Sequence, residues 1–173
     1  MICPNCGNDN LPGSEECSRC GQDLTQLDLP SASALDPVEC SLVEDPVGRL
    51  NPRKPVTIAP TTTVREAIRL MLDSNVGALL VVDGAGHLTG IFSERDLLTK
   101  IAGLRDDYAD RPISEFMTRD PEAVAPHHTL AFALHKMDCG GYRHVPVLEN
   151  GQPVAMISVR DMLRHITRLC GER

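Results

Sequence analysis

Two groups of side chains in this 173-residue chain have the types and spacing for chemistry. The first is a quartet of thiols, Cys3-x2-Cys6 and Cys17-x2-Cys20, each pair followed by a glycine, Gly7 or Gly21. Four thiolates so spaced suit one tetrahedral Zn2+. The glycines, able to take positive φ, let the chain curl until backbone N–H groups point at the sulfurs and ease their repulsion. Residues 1–24 offer only Met1, Ile2, Leu11 and Leu24 as large apolar groups, so bound metal must supply the stability that a core cannot. The rivals are two disulfides, disfavoured because nothing resembles a secretion signal, and an iron site, disfavoured by the short loop and lack of aromatic residues.

The second group is Ser93-Glu94-Arg95-Asp96, which returns as Ser158-Val159-Arg160-Asp161, each before an apolar run. A Ser followed three residues later by an acid is a helix-start signature, and capping is the plain reading. The chemical reading uses the same geometry. A helix N-terminus offers unpaired N–H groups and partial positive charge to a phosphate, and Arg95 or Arg160 adds a planar cationic fork. The Asp carboxylate, an acceptor only, suits the two hydroxyls of a ribose diol.

These motifs belong to a longer repeat. An offset of 66 residues pairs Pro55 with Pro121, Ala59 with Ala125, Thr63 with Thr129, Ala67 with Ala133, Met71 with Met137 and Val81 with Val147. The offset falls to 65 at the Ser-x-Arg-Asp elements (158 − 93), so one residue is lost in a turn: Asp83-Gly84-Ala85-Gly86 in the first copy, Asn150-Gly151 in the second. Each copy reads as β-α-β-β-α. In the first, Val56-Thr57-Ile58 is extended, Thr63-Val64-Arg65-Glu66 is a capping box opening a helix to about Ser74, Ala78 to Val82 and His87 to Phe92 are strands, and Ser93 starts a second helix. The second copy runs from Ala123 to about Thr167.

The doubled unit resembles a tandem pair of CBS (cystathionine-β-synthase-type) domains, a Bateman module, over about residues 46–168. The resemblance is carried by the Met117-Thr118 lead-in, Arg143-His144-Val145-Pro146-Val147, Val76-Gly77-Ala78-Leu79-Leu80 and the two Ser-x-x-Asp closures. Residues 1–24 resemble a small zinc ribbon. The fold expected is therefore α+β: duplicated β-α-β-β-α repeats, about 46–104 and 111–168, after a zinc ribbon. The family resemblance implies a non-enzymatic regulatory module that binds adenosine-containing ligands (AMP, ADP, ATP, NAD or S-adenosylmethionine) in clefts between the repeats. It implies that adenine meets backbone groups at His144-Val145 and Ala78-Leu79 and at the extended stretches around Thr57-Ile58 and Ala123-Val124. Leu80 stands where the second copy has Pro146, and Arg143 with His144 gives the second copy extra donors near Ser158 and Asp161. The Asp161 cleft is accordingly expected to bind more tightly than the Asp96 cleft.

Composition narrows the classes. With 42% hydrophobic and 24% charged residues and no long apolar run, the chain reads as globular, cytoplasmic and without a membrane span. The net charge is −7, and residues 1–23 hold four acids against Arg19, so the ribbon lacks the basic footprint of nucleic-acid binding and reads as structural or as a protein-contact element. Residues 25–45, rich in acids, Pro, Ser and Ala, read as a solvated linker, so a chain lacking residues 1–45 is expected to stay folded, dimeric and ligand-competent. Cys40, Cys139 and Cys170 read as incidental thiols and His127-His128 as a helix entrance; no catalytic constellation is apparent. Leu130-Ala131-Phe132-Ala133-Leu134 and the α-helix from Val64 carry more apolar surface than one side of a small domain buries, which points to a homodimer. Two other readings stand beside the nucleotide sensor: an interaction protein whose clefts bind nothing, and, against the charge, a nucleic-acid-binding regulator.

Overall fold

A computed structural model describes residues 1–11, 14–24, 36–103 and 107–171. The expected linker falls outside the described residues as far as residue 35. Its remainder is not a solvated strand of chain: Pro37–Glu44 is a helix, α1. Asp36 accepts the N–H groups of Val38 and Glu39, Glu39 reaches back to the Asp36 N–H, and Pro37 fills the first turn, where no N–H is needed.

The two repeats form as read. In repeat one, β1 (Thr57–Ile58) lies parallel to β2 (Ala78–Val82), which pairs antiparallel with β3 (Leu88–Ser93). Helix α2 (Val64–Ser74) starts at the Thr63/Glu66 capping box and ends at Asn75, whose φ is +51°. After β3 a short helix, α3 (Glu94–Asp96), widens into a π-turn over Leu97–Ile101, where the Ala102 N–H reaches Leu97 O at 2.8 Å. In repeat two the first strand shrinks to one parallel bridge, Val124 to Val147; α4 (Leu130–Gly140), β5 (His144–Glu149), β6 (Gln152–Ser158) and α5 (Val159–Gly171) follow. Asn150 and Gly151, with φ of +51° and +78°, make the two-residue β5–β6 turn that the sequence signals.

What joins the repeats is an exchange of lead-in arms. Thr118–Arg119, entering repeat two, forms a strand, β4, on the sheet of repeat one, opposite Gly90 and Ile91. A Cβ at Gly90 would sit 3.0 Å from the Thr118 carbonyl oxygen and 2.5 Å from Met117 Sδ, so glycine is what lets this arm approach so closely. Arg53, entering repeat one, crosses the other way, its carbonyl accepting the Met156 N–H of β6 at 3.3 Å. The exchange extends to the cores. Ile113 is fully buried among Ile58, Val64, Leu79 and Phe92 of repeat one, and its 66-residue counterpart Val47 among Val124, Leu130, Val145 and Ile157 of repeat two. Each repeat's hydrophobic cluster therefore contains a residue from the arm that leads into the other repeat.

Helix α1 packs on α4 and α5, with Leu42 against the repeat-two core. This is where the apolar excess of α4 goes: Leu130, Phe132, Ala133 and Met137 are buried within the chain. A polar chain pins the contact. Arg168 donates to His165 Nδ1 (3.1 Å), so Nε2 carries the hydrogen and donates to Ser41 Oγ (2.7 Å), whose hydroxyl donates to Asp45 Oδ2 (2.5 Å). His165 is buried and held below its ordinary pKa by desolvation and by the Arg168 charge, which fits the neutral ring this chain of bonds requires. Residues 37–45 thus give the repeats contacts that the reading as a solvated linker leaves out. A chain beginning at residue 36 should melt like the full repeat pair, whereas one beginning at residue 46 should melt roughly 5–10 °C lower, having lost Leu42 and left His165 without its acceptor. Equal melting of the two truncations would show that α1 adds nothing.

Candidate functional site

Residues 1–24 form two similar knuckles. In each, the first cysteine's N–H binds the carbonyl five residues on (Cys3 to Asn8, Cys17 to Gln22), and the glycine N–H returns to that cysteine's carbonyl at 2.9 Å. Gly7 and Gly21 adopt φ of +69° and +70°, the conformation their positions demand. The knuckles bring four Sγ atoms within 4.8 Å of one another, with Cys3–Cys20 and Cys6–Cys17 at 3.6 Å. Ligand bonds of about 2.3 Å around a tetrahedral centre put sulfurs about 3.8 Å apart, so the quartet fits such a cation. None of the four is joined in a disulfide. Their acidities diverge. Cys17, though burial opposes its ionisation, is brought to about 6 by the N–H groups of Arg19 and Cys20 and by the neighbouring sulfurs. Cys6 receives the Asn8 N–H, yet burial and the other sulfurs push it up to about 12. Four thiolates this close need a cation to coexist.

Two clefts lie between the repeats, each lined by a Ser-x-x-Asp turn and by residues of a crossing arm. Cleft one, about 300 Å3, has Ser93, Arg95 and Asp96 on one wall and Thr118 and Glu122 from the crossing arm on the other. Cleft two, about 690 Å3, sets Ser158, Arg160 and Asp161 against the arm residues Arg53 and Lys54. Gly77, Glu94, Arg143 and His144 stand at the seam and line both. Arg143 is therefore shared, and the expectation of tighter binding at Asp161 loses that one of its grounds. His144 stays neutral, since burial lowers its pKa more than Glu94 and Asp161 raise it.

The two aspartates have the same inner half and different outer halves. Asp96 Oδ2 accepts Ser93 N–H (2.8 Å) and Ser93 Oγ–H (2.7 Å); Asp161 Oδ2 does the same with Ser158 at 2.8 and 2.6 Å. Asp96 Oδ1 also takes Thr118 Oγ1–H at 3.1 Å and the Lys100 ammonium at 2.7 Å, and the residue is 5% exposed. Asp161 Oδ1 faces one exposed guanidinium, Arg164, at 3.3 Å. The cations differ too. Cleft one holds Arg95, Lys100 and Arg143 against Glu94, Asp96 and Glu122, with Arg95 tied to the Gly141 carbonyl at 2.8 Å. Cleft two holds five cations, Arg53, Lys54, Arg143, Arg160 and Arg164, against Glu94 and Asp161.

Of the residues that the sequence and the resemblance single out, these clefts bring together Ser93, Arg95, Asp96, Arg143, His144, Ser158, Arg160 and Asp161. Eight others line neither cavity. Ile58, Ala78, Leu79, Val124, Val145 and Pro146 are buried in the sheets behind, and Thr57 and Ala123 lie beside them. Sequence reasoning missed Lys100 and the arm cations Arg53 and Lys54. The signals were present: Lys100 stands four residues after Asp96 on the same helix, and Arg53 pairs with Arg119 in the 66-residue repeat.

The structure is thus a pair of interlocked β-α-β-β-α repeats with two clefts at their junction. A CBS domain model matches residues 47–103 and 113–168 and a zinc-ribbon domain model residues 2–24; the chain belongs to the CBS domain family and carries a zinc ribbon before its tandem pair. An uncharacterized 17.7 kDa protein of Acidianus ambivalens is 34% identical over 119 residues, 68% of this chain and 71% of that one. CBS domain-containing protein CBSCBSPB1 of Arabidopsis thaliana is 35% identical over 120 residues, 69% of this chain but 22% of its own length, so the chain spans about a fifth of such plant relatives. A CBS-domain containing protein of Agrobacterium tumefaciens, solved by crystallography, superposes with a TM-score of 0.65 at 31% identity, over 72% of this chain and 98% of that one. Two more distant pairs share the fold: that of protein MJ0100, solved with 5-methylthioadenosine and S-adenosyl-L-methionine (24% identity, TM-score 0.63, covering 69% and 98%), and CBSX2, solved with AMP (23%, 0.61, 74% and 98%).

Proposed function

We propose that this chain is a regulatory module that binds a phosphorylated adenosine in cleft two and carries a structural Zn2+ on Cys3, Cys6, Cys17 and Cys20. The observation that carries the reading is the composition of cleft two, where the carboxylate of Asp161 keeps acceptor positions for a ribose diol while five cations, in a chain of net charge −7, surround the space beyond it. Charge so concentrated against the sign of the whole molecule is a phosphate-binding arrangement. It favours ADP or ATP over AMP, and it disfavours S-adenosylmethionine, whose sulfonium brings positive charge to a positive site. Adenosine compounds in two distant pairs of the same fold agree in kind. Of the backbone groups that the resemblance assigns to adenine, around Thr57-Ile58, Ala78-Leu79, Ala123-Val124 and His144-Val145, only those of His144 belong to a residue that lines cleft two.

The ribbon, acidic and small, is read as a contact for another protein rather than for nucleic acid. A second copy of the chain is the proposed cover for Leu72, Leu98 and Leu163, which are 75%, 72% and 58% exposed. Among the described residues no helix is long and apolar enough to cross a membrane, and a cytoplasmic location is part of the proposal. Calorimetric titration tests the main reading. Affinity should rise from adenosine through AMP to ADP, by about tenfold or more for each charge-assisted hydrogen bond that the added phosphate makes, with S-adenosylmethionine weaker than ADP. Adenosine binding as tightly as ADP would remove the role given to the cations.

A further inference from the structure

We propose that Lys100 locks cleft one against ribose, so that the chain binds one nucleotide rather than two. The inference rests on the reading of cleft two as a nucleotide site, but the lock itself is built from the geometry of cleft one. A carboxylate has about four acceptor positions. At Asp96 all four are taken: two by the Ser93 N–H and hydroxyl, one by Thr118 Oγ1 and one by Lys100 Nζ. An ammonium has three hydrogens, and those of Lys100 are also all placed, on Asp96 Oδ1 (2.7 Å), the Phe116 carbonyl (2.8 Å) and Thr118 Oγ1 (3.1 Å). The group is closed on itself. A diol entering cleft one would have to break a charge-assisted bond to a carboxylate that is 5% exposed, and would leave a donor without an acceptor.

The two residues that close it are the two that differ at the equivalent places of cleft two. The 65-residue offset sets His165 opposite Lys100, and His165 points away, to Ser41. The 66-residue offset sets Pro52 opposite Thr118, and proline has no hydroxyl. Lys100 thus does for Asp96 what a bound diol would do for Asp161: it satisfies the outer oxygen.

The test is calorimetry with ADP on the full-length, zinc-loaded protein. The unaltered chain should bind close to one ADP, Asp96→Ala should bind it with unchanged affinity, and Lys100→Met, which keeps the aliphatic stem, should bind close to two. Two ADP on the unaltered chain, a loss of affinity in Asp96→Ala, or a single ADP on Lys100→Met would each overturn the lock. If the unaltered chain takes no ADP, cleft two has been misread; one ADP on Lys100→Met would then still establish the lock, and none would end it as well. Should Lys100→Met not fold, amine acylation of Lys100 in the unaltered chain decides, read by peptide mass. Its extent should be the same with and without saturating ADP, and protection by ADP would place the nucleotide in cleft one.

Discussion

Replacing Cys17 and Cys20 together by serine should strip the metal from the chain, taking zinc from about one ion per molecule to none, and should open residues 1–24 to proteases while the CBS pair keeps its melting temperature. The effect is expected to be large because the ribbon has a very small apolar cluster of its own. Its hydrophobic cluster consists of Leu24 with the ligands Cys3 and Cys17, flanked by Met1 and Cys6, so removing the cation removes the centre around which those residues pack. Structural zinc contributes on the order of 10–16 kcal/mol in small fingers, far more than so few apolar contacts supply. Chelation of the unaltered protein should give the same protease pattern. Iron as the dominant metal, zinc retained after both substitutions, or a ribbon that stays protease-resistant without metal would each defeat the assignment.

Asp161→Ala should cost nucleotide affinity by about tenfold to a hundredfold, the worth of one or two hydrogen bonds to an ionised acceptor. The side chain has two tasks on one carboxylate: its inner oxygen caps α5 through Ser158, and its outer oxygen is the one left for the ligand. Loss of the cap alone would lower stability without separating ligands from one another. The separating measurement is therefore the comparison of ADP with its 2′,3′-dideoxy analogue. In the unaltered protein ADP should bind more tightly, and in Asp161→Ala the two should become equal. An unchanged ADP affinity would reduce Asp161 to a helix cap.

Local chemistry is readable in the sequence because it depends on residues close together in the chain. The Thr63/Glu66 capping box, the Asn150-Gly151 turn, the two knuckles and the inner halves of both Ser-x-x-Asp turns all form as their spacing indicates. Helix α1 is equally local yet escapes the sequence reading: Asp36-Pro37-Val38-Glu39 is a cap, a first-turn proline and a capping-box acid, hidden when its acids are taken as solvating charge. The exchanged arms are a different matter. Val47 and Ile113 stand at equivalent places in the repeat, but neither periodicity nor propensity says that each will be buried in the core of the opposite half. For the same reason the sequence can name residues of both clefts and not their partners. Proximity along the chain assigns Arg143 to Asp161, whereas the fold sets it at the seam, and the arm brings Arg53 and Lys54 instead.

The crossing arms also bear on how such a chain came to treat its two clefts differently. A single repeat whose lead-in is buried in a neighbour's core cannot close its own hydrophobic surface; two identical copies, each lending its arm to the other, can, and they would do so about a twofold axis. The chain has the plan of that exchanged dimer written as one polypeptide. In the separate dimer every substitution appears twice, so a lysine locking one cleft would lock both and abolish binding. Joined in tandem, the halves are free to diverge, and one cleft can take Lys100 and Thr118 while the other takes His165 and Pro52. Fusion thus allows one ancestral pocket to become a strut and its twin to remain a receptor.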